Sequence, residues 1–285
     1  MLVTLNDVLF PAKKEKYAVG LFNTVNLEMA RGVLQAAEQL NAPVIIGTAE
    51  VLLPSSPLEE LSYFLIPMAK KSPVPVVVHF DHGLTFGKCI EALRLGFTSV
   101  MYDCSTDSYE ENIQKVKELT RFAHAMGATV EAELGHVGDA ADSAESIGPA
   151  DDARHLYTDP AEAQDYVQKT GIDALAIAVG TVHGTYTFAP RLDLDRIKNI
   201  AQLVDVPLVL HGGSGLSDGD FKSALQNGIS KVNIFTDINI AQAQAAQKFL
   251  AEGAAGATDI MPGMVEAVKA AAIKKMMVFG SAGRA

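Results

Sequence analysis

Short runs of Val, Ile, Leu and Ala alternate with longer amphipathic stretches along this chain, and this rhythm constrains the fold more than any other feature. Buried parallel strands have nearly continuous apolar sequences, and the crossover helices between them have helical periodicity. Eight strands that are each followed by a helix predict a (β/α)8 TIM barrel. The predicted strands are Ala18–Phe22, Pro43–Gly47, Pro75–Phe80, Ser99–Asp103, Thr129–Glu133, Ala174–Val179, Pro207–His211 and Lys231–Ile234.

Two further segments complete the prediction. Val137–Tyr157 is rich in Ala, Asp, Ser and Gly without periodicity. We interpret it as a lid rather than a disordered insertion, because it leaves the C-terminal end of a strand. After the Gly/Ala linker Glu252–Thr258, an extra C-terminal helix is predicted at about Pro262–Met277. The 285 residues match one barrel of about 250 residues, so we expect a single domain, 1–285.

Composition excludes several classes of protein. No apolar run approaches the roughly 20 residues of a membrane span, and the N-terminal segment lacks the pattern of a signal peptide. We therefore expect a cytoplasmic protein without membrane partners. The 23 basic residues are outnumbered by 34 acidic ones and form no cluster, so nucleic acid is not an expected partner. Cys89 and Cys104 are expected to be ordinary thiols.

Histidines at the ends of predicted strands indicate a metal site. His82, His183 and His211 each precede a glycine at the C-terminal end of the barrel, where barrel enzymes place their active sites. A lone histidine is more often structural, but three imidazoles with an open fourth position form a catalytic zinc site. His136 is either a substitute ligand or a lid residue. We interpret the remaining histidines as structural, namely His79, His124 and His155.

Carboxylates stand beside these histidines. Asp81 either orients a histidine or, as we favour, exchanges a proton with a substrate hydroxyl near the metal. Asp103 and Glu133 end the fourth and fifth strands. They either orient metal ligands or bind an alternate or second metal, and the sequence leaves both roles open.

Glycine-rich strand ends predict an anion site. Gly184, Gly212 and Gly213 allow close approach of the backbone, whose N–H groups bind anions. Asn233 and Thr236 follow at the last strand, beside the usual phosphate site of barrels, although Thr236 is also a plausible helix cap. The combination points to a phosphorylated polyol or sugar.

As a set, these motifs resemble class II, metal-dependent ketose-bisphosphate aldolases, especially the branch of fructose-1,6-bisphosphate and tagatose-1,6-bisphosphate aldolases. The resemblance covers nearly the whole chain. It is carried by Tyr17–Asn23, His79–Gly83, Val130–Gly135, Gly180–Gly184, His211–Gly215, Lys231–Asp237 and Phe279–Ala285.

The resemblance implies a lyase that reversibly cleaves a phosphorylated ketose to dihydroxyacetone phosphate and an aldehyde, as in glycolysis. It implies Zn²⁺ or another divalent metal on His82, His183 and His211, a monovalent cation as a further cofactor, and a homodimer or homotetramer. Asp81 would transfer the proton, and Asp103 and Glu133 would mark a further metal position. The implied substrate contacts are Asn23, Gly184, Gly212, Gly213, Ser214, Asn233, Ile234, Phe235 and Thr236.

Three positions depart from the family pattern. Ala141 stands where an acidic residue is common, eight positions beyond Glu133. Phe235 replaces the Asp or Asn of fructose-bisphosphate enzymes and the Ala of the tagatose branch. Family members often have a Ser or Thr after the second strand. Here Thr48-Ala49 represents that position, with the hydroxyl of Thr48 displaced by one residue. Phe235 therefore suggests a different aldehyde or stereochemistry.

Two alternatives remain open. A Schiff-base aldolase would use Lys231, although its place at the start of the last strand puts it at the wrong rim. A non-catalytic sugar-phosphate sensor or scaffold would be expected to lose Asp81 or a metal histidine, and the sequence retains both.

Overall fold

The structure of this protein is a computed structural model, and it describes residues 1–139, 157–183 and 191–285. Within those residues, eight parallel strands close into a barrel, because the strand Val76–Gly83 pairs on one side with Val44–Ala49 and on the other with Ser99–Tyr102. All eight predicted strands are thereby confirmed. The barrel strands are β2 (Val19–Asn23), β3 (Val44–Ala49), β4 (Val76–Gly83), β5 (Ser99–Tyr102), β6 (Thr129–Leu134), β8 (Ala174–Ile177), β10 (Leu208–Leu210) and β11 (Ile229–Ile234).

Helices follow the strands and bury their apolar faces against the outside of the barrel. The extra C-terminal helix is confirmed, but it begins at Ala257, before Pro262. The Asp259 carboxylate stabilises this earlier start by accepting the backbone N–H groups of Ala255 and Gly256. The helices are α1 (Leu5–Glu15), α2 (Leu27–Leu40), α3 (Leu58–Lys71), α4 (Phe86–Leu95), α5 (Tyr109–Ala125), α6 (Pro160–Thr170), α7 (Leu194–Leu203), α8 (Asp218–Asn227), α9 (Thr236–Ala251) and α10 (Ala257–Phe279).

Helix α1 is not among the elements predicted from the sequence. A two-residue strand, β1 (Leu2–Val3), pairs with β4, and α1 then packs across the N-terminal end of the barrel. Leu5, Val8 and Leu9 of α1 are buried against inward-facing residues of the barrel strands, among them Val19, Leu21, Ile45, Val77 and Val209. The barrel interior is therefore closed at that end.

At the opposite end, two short strands extend the structure beyond the barrel. Gly138–Asp139 (β7) pairs in parallel with Val182–His183 (β9). This pairing joins His183 to the start of the predicted lid. Residues 140–156 of that lid, including Ala141 and His155, lie outside the described residues, so the lid remains a prediction. Gly184 also lies outside them.

None of the helices in the described residues combines sufficient length with sufficient apolar character to cross a bilayer.

We predict that Gly47→Ala destabilises the barrel, because a Cβ atom there would overlap the carbonyl oxygen of His79 on the neighbouring strand. Such overpacking costs about 1–3 kcal/mol in the free energy of unfolding, measurable by chemical denaturation. The matched control is Gly87→Ala on α4, where a Cβ atom meets nothing within 4 Å. Equal unfolding free energies for the two variants would contradict the close approach of β3 and β4.

Candidate metal centre and active site

The backbone of β4 places two consecutive side chains in one cavity. In a regular strand Asp81 and His82 would point to opposite faces. His82 instead adopts φ +40°, and the register between β4 and β5 shifts by one residue between Phe80 and Gly83. Gly83 permits this bulge, because a Cβ atom there would lie 2.5 Å from the Cys89 Sγ. The bulge turns both polar side chains toward the site.

The three predicted histidines converge at the C-terminal end of the barrel. Their ring nitrogens offer ligand atoms that all lie within 4.8 Å of one another, and all three side chains are buried. The ring centroid of His82 lies 4.9 Å from that of His183 and 4.6 Å from that of His211. The arrangement predicted from the sequence is thus present in the fold.

A carboxylate orients His82. The Nδ1 atom of His82 lies 2.6 Å from Asp103 Oδ2, and Asp103 Oδ1 accepts the backbone N–H of Ser105. An Nδ1–H donated to Asp103 leaves Nε2 of His82 as the ligand atom. The Ser105 hydroxyl in turn lies 3.1 Å from His136 Nδ1. His136 is buried beside Ser105. It does not belong to any of the groups of described residues that could hold a metal.

Two glutamates flank His211. Its Nε2 lies 3.0 Å from Glu131 Oε1, and its Nδ1 lies 3.0 Å from Glu133 Oε2. If Nε2–H donates to Glu131, the Nδ1 atom remains to bind a cation beside Glu133. Glu133 is held in place by the backbone N–H of Val137 at 2.9 Å. Asp103 and Glu133 also form a second donor group with His82.

Asp81 is fixed by two asparagine amides. Asn23 Nδ2 donates to Asp81 Oδ2 at 2.8 Å, and Asn233 Nδ2 lies 3.1 Å from both carboxylate oxygens. Burial alone would raise the pKa of this carboxyl, but the neighbouring His82, His79 and Lys231 hold it well below its ordinary value. Asp81 is therefore held as a carboxylate inside the cavity.

The donor set fits a divalent cation. Burial would lower the pKa of His82, yet the charges of Asp81 and the hydrogen-bonded Asp103 raise it to about 10. The pKa of His211 is also raised, because the bonds to Glu131 and Glu133 outweigh burial and the nearby His82. Buried carboxylates thus create a negative potential that favours positive charge at the imidazoles. A divalent metal satisfies that demand and binds the neutral rings.

A glycine-rich rim lies beside this donor set. Gly212 has φ +63°, and a Cβ atom there would overlap the carbonyl oxygen of Val182, so β9 packs directly on this turn. Helix α9 begins at Thr236, which lines the same cavity, so the N-terminus of this helix lies at the cavity wall. Among the described residues, the cavity lining contains neither Lys nor Arg; it consists of Asp81, His82, His183, Gly212, Gly213, Ser214, Asn233, Phe235 and Thr236.

Not every predicted substrate contact lines the cavity. The side chain of Ile234 packs in the hydrophobic core, so only its backbone remains available to a ligand. Asn23 is not among the residues that line the cavity, but its amide donates to Asp81, which is. His79 is hydrogen-bonded to Ser99, and it also forms a described group with Asp81 and Glu131 whose atoms could hold a metal. His124 pairs with Asp173 away from the cavity, and the structural interpretation of both histidines stays a prediction.

Sequence reasoning missed Glu131 and the position of Lys231. Lys231 is fully buried inside the barrel, with its Nζ bonded to Glu131 and Asn233. Lys231 is two residues from Asn233, and Glu131 is two residues from Glu133, so each pair lies on the same face of its strand. This spacing is the sequence signal that would have placed Lys231 and Glu131 inside the barrel. Charged residues on the inward face of a buried strand require partners.

Comparisons with known proteins identify the family of this chain. The family described as "Fructose-bisphosphate aldolase class-II" matches residues 3–284. The chain is 40% identical to a protein named "Uncharacterized protein YdjI" of Escherichia coli K12, over 96% of each chain. It is 39% identical to the fructose-bisphosphate aldolase of Geobacillus stearothermophilus, over 100% of this chain and 99% of that one. The crystal structure of the YdjI aldolase superposes with a TM-score of 0.89 at 37% identity, covering 100% of both chains.

A closed (β/α)8 barrel with polar groups at its C-terminal end is the architecture of an enzyme. The chain belongs to the class II fructose-bisphosphate aldolase family, and it is an aldolase, a lyase that cleaves a carbon–carbon bond. Members of this family generally use a divalent metal, which agrees with the donor groups of the described residues.

We predict that metal binding releases protons at pH 8. The pKa of His82 is about 10, so this ring carries a proton in the metal-free protein and must lose it to become a ligand. Because that pKa is raised, the apparent affinity for Zn²⁺ decreases as the pH falls below it. Calorimetric titrations in two buffers of different ionisation enthalpy measure the release. Identical binding enthalpies in both buffers would contradict this assignment.

Proposed function

We propose that this aldolase carries out a metal-dependent, reversible cleavage of a phosphorylated ketose to dihydroxyacetone phosphate and an aldehyde. The convergence of His82, His183 and His211 beside the ionised Asp81 carries the proposal. A divalent cation, which we propose to be Zn²⁺, supplies Lewis-acid polarisation of the ketose carbonyl when it is bound by these rings.

Asp81 is proposed to take the proton from the C4 hydroxyl of the ketose. As that proton leaves, the C3–C4 bond breaks, the aldehyde carbonyl forms at C4, and the electron pair remains with C3. The amides of Asn23 and Asn233 hold Asp81 in one orientation, which favours transfer along a defined path. In the condensation direction Asp81 returns the proton to the new hydroxyl.

The phosphate is proposed to bind at the glycine-rich rim. The described cavity lining has no lysine or arginine, so backbone N–H groups of Gly212 and Gly213, the hydroxyls of Ser214 and Thr236 and the start of α9 supply the attraction. This placement suits a protein that has no cluster of basic residues.

The other end of the substrate is proposed to meet an apolar wall. Phe235 packs in a cluster with Ala49 and Leu52, against Val25 and Val51. Ala49 is the register partner of Asp81, so this wall adjoins the group proposed to take the C4 proton. We therefore propose that the aldehyde fragment places hydrocarbon against Phe235.

Several properties of the whole protein are also proposals. We propose one domain over residues 1–285, a homodimer or homotetramer, a cytoplasmic location, and a monovalent cation as a further cofactor. The single domain is supported by contacts that tie both ends into the barrel. Leu2 pairs with β4, and the Ala18 N–H donates to the carbonyl of Phe279 in α10.

The test is a panel of ketose monophosphates and bisphosphates, with released dihydroxyacetone phosphate measured before chelation, after chelation and after Zn²⁺ is restored. The proposal expects release that chelation abolishes and metal restores. Cleavage that persists after chelation and is trapped by borohydride would instead favour a Schiff base on Lys231. No release from any substrate by metal-loaded protein would favour the non-catalytic sensor or scaffold.

We predict that Asp81→Ala and His183→Ala separate proton transfer from metal binding. Asp81→Ala should keep bound metal but lower kcat by about 100-fold or more, because general acid–base groups contribute about 10²–10⁴-fold. His183→Ala should lose metal, measured by elemental analysis after gel filtration. The control is His124→Ala, an exposed histidine on α5. Retained turnover in Asp81→Ala would remove Asp81 from its assigned role.

We predict that Phe235→Ala changes aldehyde preference without changing metal content. In the condensation direction, the kcat/KM ratio between an aliphatic and a polyhydroxylated aldehyde should fall by about tenfold, because the apolar contact is lost. Ile240→Ala is the control, since Ile240 is an exposed apolar residue of α9. An unchanged ratio would show that Phe235 does not contact the aldehyde fragment.

A further inference from the structure

Lys231 is a buried cation in the centre of the barrel. Its Nζ lies 3.0 Å and 2.9 Å from the two carboxylate oxygens of Glu131 and 2.7 Å from Asn233 Oδ1. Lys231 belongs to β11 and Glu131 to β6, with β10 and β8 between them in the sheet. The ion pair therefore spans the barrel interior rather than joining neighbouring strands.

The first arm of this network leads to His211. Glu131 Oε1 accepts both from Lys231 Nζ and from His211 Nε2, each at 3.0 Å. These two contacts hold the Glu131 carboxylate in one orientation, and the bond to Nε2 leaves the Nδ1 atom of His211 as its ligand atom.

The second arm leads to Asp81. Because Lys231 donates to the Oδ1 atom of Asn233, the opposite edge of that amide must present its NH₂ group. That group donates to both carboxylate oxygens of Asp81. Without the ammonium, the Asn233 amide has no fixed preference between its two flipped orientations, and one of them places its oxygen against the Asp81 carboxylate.

We propose that Lys231 is a positioning residue that couples the two halves of the site: through Glu131 it orients the metal-binding His211, and through Asn233 it orients Asp81. This inference rests on the proposed roles of His211 and Asp81. It assigns Lys231 a use other than attack on the substrate carbonyl, because its ammonium donates to Glu131 and Asn233 and has no exposed surface.

The structure suggests a pair of variants that separate the two arms. Lys231→Met keeps an unbranched chain up to the Cε atom but removes the ammonium group, so Glu131 is left charged and buried without its cation. The double variant Glu131→Gln/Lys231→Met is neutral, and the Gln oxygen can still accept from His211 Nε2. The double variant therefore restores the first arm and leaves the second arm broken.

The first arm is tested by the metal affinity, which is measured by titration with Co²⁺ in the absence of substrate. Lys231→Met should weaken it by about 10–100-fold, the usual effect of losing a group that orients a ligand. The double variant should bind Co²⁺ within about threefold of the unaltered protein, because paired changes in one network are not additive. Thermal unfolding of each variant shows whether the fold is retained.

The second arm is tested by kcat and KM. Both are measured with the ketose phosphate that the unaltered enzyme cleaves fastest. In the double variant with Co²⁺ restored, kcat should remain at least about tenfold reduced while KM changes little, since misplacing a catalytic group reduces turnover. The matched control is the exposed pair on α4, Lys88→Met and Glu91→Gln/Lys88→Met. These control variants should leave metal affinity and kcat unchanged.

Four outcomes would overturn the proposal. They are unchanged metal affinity and kcat in Lys231→Met, a folded double variant that does not regain metal affinity, a double variant that regains kcat together with metal, and failure of the neutral double variant to fold. If the unaltered protein binds Co²⁺ but cleaves no ketose phosphate, the proposed function fails, and the Co²⁺ titrations still test the coupling of Lys231 to His211.

Discussion

Buried carboxylates at the C-terminal end of the barrel set the constraint on which this site depends. Asp81, Asp103, Glu131 and Glu133 are all nearly inaccessible to solvent, and a buried charge is tolerated only when it is paired. Lys231 compensates part of this charge from within the chain. The remainder explains why the pKa values of His82 and His211 are raised, and a divalent cation would satisfy the same negative potential.

The backbone contributes as much to the site as the charges do. The left-handed conformation of His82 and the bulge beside Gly83 bring consecutive residues into one cavity. The close contact between Gly212 and Val182 holds β9, and with it His183, against the turn after β10. These features bring the candidate proton acceptor and the candidate metal ligands, from β4, from β9 and from the end of β10, together at one end of the barrel. Regular elements hold side chains in a more precise geometry than loops do.

The barrel strands and the histidines were predictable from the sequence because each depends on local pattern. Apolar runs mark strands, and parallel closure brings every strand end to one rim. Helix α1 was missed, although Leu5, Val8 and Leu9 have helical spacing, because a helix that closes the barrel end is defined by what it packs against. The pairing of Glu131 with Lys231 was also beyond the sequence, since it joins residues 100 positions apart across the interior.

The central claim is that three imidazoles bind the metal, and X-ray absorption at the zinc edge tests it most directly. For protein loaded with one equivalent of Zn²⁺, the account predicts three histidine nitrogens at about 2.0–2.1 Å, completed by oxygen donors. Sulfur ligation at about 2.3 Å, or a coordination sphere made of oxygen alone, would contradict the assignment of His82, His183 and His211.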